Sequence, residues 1–199
     1  SFFRLISNTE NMKIVDLSVE LAHGMVRYPS PYLPAVTLDD AATHEVEARH
    51  AQILRCGTHV STHLDAPYHA IPDGKKIDEL PLEHLCGNAV KLRIPDGRTK
   101  DSPLDAADFA NFAEKDTVEK LHLIAMDFPN IDSKAETVMG KPNPNHVILL
   151  GREILLLENL VRLEECPDHF FLSSPPPKLV GGDGCPCRAV AMFPSPFPG

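Results

Sequence analysis

The sequence predicts a single α/β domain whose core is mostly β-structure. Three observations carry that expectation. The chain has 199 residues, one to one and a half typical domains and enough to bury a sizeable core. Short apolar stretches of strand character outnumber helical ones. No internal repeat and no linker-like break in composition divides the chain into two units. Hydrophobic residues make up 43% and charged residues 24%, as in ordinary globular domains, while 19 Pro imply many fixed loops.

Taken in order, residues 12–21 (MKIVDLSVEL) alternate as a strand. Met12 is read as a native start, with residues 1–11 a leader that has no bearing on function. Residues 23–34 form a Pro-rich loop, and 35–41 a weak strand. Residues 44–57 (HEVEARHAQILRCG) fit strand or helix; strands are favoured because the segment runs into Gly57 and a Thr-rich stretch. Ile71-Pro72-Asp73-Gly74 is a turn, and 88–94 (NAVKLRI) is a strand closed by Pro95-Asp96-Gly97. Ser102-Pro103-Leu104-Asp105 resembles a capping box with Pro at the first helical position, which predicts a helix through Lys115. Residues 121–127 (LHLIAMD) are a core strand, and 145–150 a short helix stopped by Gly151. Residues 154–157 are an apolar run bounded by charges, a buried strand ending at Glu158. Late strands at 170–173 and 188–193 are separated by Gly181-Gly182-Asp183-Gly184. That segment is read as a tight turn, since it lacks the Lys-Ser/Thr of a phosphate cradle. The domain is expected to span 12–193, with 194–199 a Pro-rich tail.

The net charge of −9 repels phosphate backbones and argues against a nucleic-acid partner. No stretch approaches the roughly 18 apolar residues of a membrane span. The five Cys (56, 86, 166, 185 and 187) are odd in number and accompany no signal-peptide pattern, so reduced thiols in a cytoplasmic protein are expected. Cys185-Pro186-Cys187 has one intervening residue, unlike common zinc-site spacings, and is read as structural. Cys56 could be a nucleophile, but burial in a strand is the simpler reading.

The segment His59-Val60-Ser61-Thr62-His63-Leu64-Asp65-Ala66-Pro67-Tyr68-His69 concentrates the chemistry. In an extended chain its odd positions would present imidazoles and a carboxylate on one side, and its even positions would face the core. Full extension, however, separates His59 from His63 by about 13 Å, too far to share one ion, so a shared metal requires a local bend. Imidazole suits Zn, Mn and Fe, and a carboxylate can bridge two ions. The competing reading is a polar loop with His by chance; regular interleaving with apolar residues weighs against it.

The pattern His-x-Ser-Thr-His-x-Asp-x-Pro-x-His resembles the signature of the "putative cyclase" family, where many members have Gly at the position of Ser61. That family includes bacterial metal-dependent kynurenine formamidases and isatin hydrolases. Asp16-Leu17-Ser18 with Gly24-Met25 and Tyr28-Pro29, residues 73–82, His146 with Glu158-Asn159-Leu160, and 179–190 also resemble family segments, over most of 13–191. The region 98–140 is shorter than the family's usual helical insert.

The resemblance implies a swivelling β/β/α architecture, a small-molecule substrate and a homodimer or higher homo-oligomer. It implies His59, His63 and Asp65 on a first metal, Asp65, His146 and Glu158 on a second, and His69 as general acid/base. Two zinc ions are the first expectation; a single Mn or Zn on His59, His63 and Asp65 is the second. Tyr28 either stacks on a flat substrate or packs in its loop. The remaining candidate histidines, His44, His50, His84, His122 and His169, have no motif support. The implied reaction is hydrolysis of a small amide, a formamide such as N-formylkynurenine or a cyclic amide. A cyclase or dehydratase and a non-enzymatic metal-binding protein are the alternatives.

Overall fold

In the computed structural model, residues 11–25, 33–92, 121–132 and 143–195 are described. Residues 1–10, Tyr28, the capping box at 102–105 with its helix, most of the shortened region 98–140 and the end of the Pro-rich tail lie outside them.

Two four-stranded sheets and one helix make three layers. The first sheet is antiparallel and runs β1 (Met12–Asp16), β10 (Val190–Pro194), β8 (His169–Ser173), β5 (Cys86–Val90). The second runs β6 (Leu123–Ala125), β7 (Leu155–Glu158), β4 (His63–Asp65), β9 (Gly184–Pro186). Its β6–β7 pair is parallel, while β4 pairs antiparallel with both β7 and β9. A hairpin of β2 (Thr37–Ala42) and β3 (Ala51–Arg55) stands apart.

The layers follow from which face each apolar residue takes. Val15, Leu172, Ala191 and Phe193 of the first sheet meet Leu64, Leu155, Leu157 and Cys185 of the second in the main core. Leu156 points the other way, packing with Met126, Ile131 and Leu150. Leu150 belongs to α2 (Pro144–Leu150), which covers that face. β7 is therefore buried on both faces, which is why 155–157 reads as an unbroken apolar run rather than an alternating one. α2 begins with Pro144 in its first turn, where the missing N–H costs nothing.

Three sequence expectations need correction. Residues 44–57 are not all strand: α1 (His44–Glu47) precedes β3. Glu47 closes that turn, its N–H donating to the Thr43 carbonyl at 2.9 Å while the Thr43 N–H donates to Glu47 Oε2 at 2.7 Å. The segment 59–69 is extended only at β4, with Pro67–His69 forming a 3-10 turn. The stretch after Gly182 is not merely a turn; it leads into β9, a strand with no alternation long enough to signal it. No helix among the described residues is long and apolar enough to cross a membrane.

Candidate metal centre

Strand β4 places His63 and Asp65 on the sheet face turned toward α2, and Leu64 on the main-core face. His63 lies directly opposite Glu158 of β7, so that carboxylate shares the face. His146 arrives from the helix α2 on the same side.

The bend required to bring His59 to His63 occurs at Ser61, whose φ is 58°. That left-handed conformation is costly for most residues and free for Gly. Here Ser61 Oγ donates to the Val19 carbonyl at 2.6 Å, which offsets part of the cost. Asn159, also left-handed at φ 60°, holds the bend from the neighbouring strand. Its side-chain amide donates to the Ser61 carbonyl at 3.1 Å, and its own carbonyl accepts from the Thr62 hydroxyl at 2.5 Å. The His59 and His63 rings consequently meet edge to face, with centroids 5.2 Å apart.

Asp65 is the hub. His59 Nδ1 stands 2.7 Å from its Oδ1, His63 Nε2 3.5 Å from the same oxygen, and His146 Nε2 3.5 Å from Oδ2. Glu158 lies 3.6 Å from His63 Nε2 through Oε2 and 3.8 Å from His146 Nε2 through Oε1. His63, Asp65, His146 and Glu158 are each 4% exposed or less. The structure thus gathers the other four sequence-identified candidate ligands around the buried Asp65 carboxylate. His69 also joins them, its ring centroid 3.9 Å from that of His59.

Two carboxylates that the sequence reading did not single out complete the cluster. Asp132, 3% exposed, accepts from His146 Nδ1 at 2.5 Å. It also accepts from the backbone N–H groups of Asn145 and His146 at 2.8 and 3.3 Å, capping α2 from outside the helix. Asp183 accepts from His59 Nε2 at 2.8 Å and lies 3.6 Å from His69 Nδ1. The only sequence signal for Asp183 is a carboxylate set among glycines. Gly184 explains one of those glycines: a Cβ there would sit 2.5 Å from His59 Cε1 and 2.9 Å from the Leu64 carbonyl.

The electrostatics follow from four acids and several bases crowded together, most of them buried. Burial disfavours charge on Asp65, but the surrounding His59, His146 and His63 outweigh it and hold its carboxyl well below the usual range. Burial and the adjacent Asp65 push Glu158 well above its usual value. His59 and His146 are lifted to about 10: burial opposes their charge, but Asp65 and Asp183 overcome it at His59, and Asp132 and Asp65 at His146. Burial lowers His63. The Cys56 thiol is pushed up by burial, which argues against the nucleophile reading.

This donor set fits a divalent transition metal. Buried Asp65 Oδ2 has no hydrogen-bond partner among the described residues, an expensive omission for a carboxylate oxygen that no ion engages. Ligand atoms of His63, Asp65 and Glu158 lie within 4.8 Å of one another, and so do those of His59, Asp65 and His69. Imidazole and carboxylate together suit Zn or Mn. The second grouping brings His69 among the possible ligands, so geometry alone does not separate it from them. His84 and His122, whose rings stack 3.9 Å apart, belong to neither grouping.

The chain is similar to several known proteins. The family model described as "Putative cyclase" matches residues 15–145. The kynurenine formamidase of Salinibacter ruber (strain DSM 13855 / M31) is 28% identical over 209 residues, covering 90% of this chain and 97% of that protein. An isatin hydrolase bound to the product analogue thioisatinate superposes with a TM-score of 0.75 at 20% identity, covering 94% of each chain. A structure described as a potential metal-dependent hydrolase with cyclase activity gives a TM-score of 0.67 at 21% identity, covering 91% of this chain and 98% of that one.

Proposed function

The chain belongs to the putative cyclase family, and we propose from that premise that it is a metal-dependent hydrolase of small amides. It is a hydrolase acting on carbon–nitrogen bonds other than peptide bonds. The substrate class is a formamide such as N-formylkynurenine, or a cyclic amide. The observation that carries the reading is the convergence of His59, His63, His146 and Glu158 on the buried carboxylate of Asp65, whose Oδ2 has no hydrogen-bond partner among the described residues.

In this reading His59, His63 and Asp65 hold one ion, and Asp65, His146 and Glu158 a second. Zinc is the expected metal, with manganese the alternative. When bound, the metal polarises a carbonyl oxygen and acidifies water. The chain's own residues do the rest. An imidazole nitrogen can accept a proton and release it again, so His69 can take a proton from water and give it to the departing nitrogen. A C–O bond forms, the C–N bond breaks, and the proton lost by water appears on the amine. Pro67 fixes φ at the start of the 3-10 turn and so limits where His69 can point. Leu156, Ile131 and Met126 pack together behind the same face. A homodimer or larger homo-oligomer is part of this proposal.

Metal analysis of the purified protein, followed by an amide and ester panel with that metal present, tests it. Stoichiometric metal and amide turnover support the reading. Turnover unaffected by complete chelation would overturn it.

A further inference from the structure

Each histidine around Asp65 has one ring nitrogen toward the cluster and the other on an outward acceptor. His63 Nδ1 meets the Ser61 carbonyl at 3.0 Å and His146 Nδ1 meets Asp132 at 2.5 Å, which leaves Nε2 of each facing inward. His59 is reversed. Its Nε2 meets Asp183 at 2.8 Å, and its Nδ1 faces Asp65 at 2.7 Å.

The oxygen that holds His59 is also the one nearest His69. Asp183 Oδ2 is 2.8 Å from His59 Nε2 and 3.6 Å from His69 Nδ1. A carboxylate oxygen accepts, and Asp183 Oδ2 stands within hydrogen-bond reach of His59 Nε2. His59 Nε2 therefore carries its proton, and His69 Nδ1 is the nitrogen of that ring placed to donate to the same oxygen. The 3.6 Å separation is longer than a hydrogen bond.

Asp183 is well placed to act on two rings at once, because its backbone is anchored to the turn that carries His69. The Asp183 carbonyl accepts from the Ala66 N–H at 3.0 Å, and the Gly182 carbonyl from the Ile77 N–H at 2.9 Å. Neither bond uses the carboxylate. The side chain, 37% exposed, can be changed without disturbing them.

We propose that Asp183 is a positioning residue that sets the tautomers of His59 and His69 together. It keeps the proton on His59 Nε2, which commits Nδ1 to the metal, and on His69 Nδ1, which leaves Nε2 as the proton acceptor. One carboxylate thereby couples metal binding to proton transfer. The inference rests on the metal-dependent hydrolase reading, but its test does not need a substrate.

The test is imidazole nitrogen NMR on the full chain, labelled at histidine, with and without zinc at one fixed pH. In the wild type, zinc-loaded protein should show His59 coordinated through Nδ1, and His69 should carry its proton on Nδ1 with or without zinc. Asp183→Ala should give a mixed His69 tautomer and a roughly 10–100-fold loss of zinc affinity, with circular dichroism unchanged. Asp183→Glu should restore most of both. His59 coordinated through Nε2, His69 protonated on Nε2 in the wild type, or unaltered tautomers and affinity in Asp183→Ala would each overturn the proposal. Failure to take up zinc would instead sink the hydrolase reading, and the His69 tautomer in the metal-free protein would still decide this one.

Discussion

His63 on β4 faces Glu158 on β7 across an antiparallel register, with His63 Nε2 3.6 Å from Glu158 Oε2. Residues far apart in sequence thus share one face because Leu64 pairs with Leu157 and both are sealed in the main core. A one-residue slip of β4 would turn His63 and Asp65 into the core and Leu64 out of it, so hydrophobic burial itself enforces the geometry of the site.

Asp65 should be the residue on which metal content depends most. It is 1% exposed, and ligand groupings on both sides of the cluster include it. Asp65→Asn preserves shape and removes the charge. Elemental analysis should find most of the metal gone while circular dichroism remains native; full metal content would refute the bridging role.

Glu158 and His146 are expected to hold the second ion. Alanine at His146 or Gln at Glu158 should lower the stoichiometry or the affinity of metal binding, read by competition titration. Wild-type stoichiometry, affinity and turnover in both variants would remove these residues from the site.

His69 is expected to move protons rather than hold metal. His69→Asn should keep its metal and lose about 10²–10⁴-fold in turnover on the substrate the panel identifies. Because His69 also falls within ligand range of His59 and Asp65, the informative measurement is metal content and rate in the same sample. Loss of both in proportion would make His69 a ligand.

Chelation should destabilise the fold. Metal that binds only the folded chain contributes about 4 kcal/mol when free metal exceeds Kd a thousandfold. In a chain of this size that corresponds to a fall in Tm of roughly 8–16 °C when the metal is stripped. Differential scanning calorimetry with and without EDTA measures it, and an unchanged Tm would count against a metal bound this deeply.

Two glycines should answer differently to Ala. At Gly184 the new Cβ meets His59 Cε1 at 2.5 Å and the Leu64 carbonyl at 2.9 Å, so Gly184→Ala should cost about 1–3 kcal/mol and weaken metal binding. At Gly87 on β5 nothing lies within 4 Å, and Gly87→Ala should be neutral or stabilise by about 0.5–1 kcal/mol. Denaturant melts and metal titration of the pair check both.

The sequence by itself determined the kinds of elements and most of the donor set. Residues 155–157 announce a strand buried on both faces, because three consecutive leucines leave no polar face. His59, His63, Asp65 and His69 declare themselves by density within one short segment, and the family pattern adds His146 and Glu158. Tertiary structure decided what local pattern cannot encode. The bend at Ser61 depends on Val19 and Asn159, which reach it from elsewhere in the chain. Asp132 and Asp183 become site residues only through contacts across the fold, where a lone carboxylate in a loop is indistinguishable from any solvated one. Likewise β9 is too short to carry a period, and exists because β4 offers it a hydrogen-bonding edge. Periodicity reports which face of a segment is buried; it does not report which distant segment covers that face, and the chemistry of this site lies in that second question.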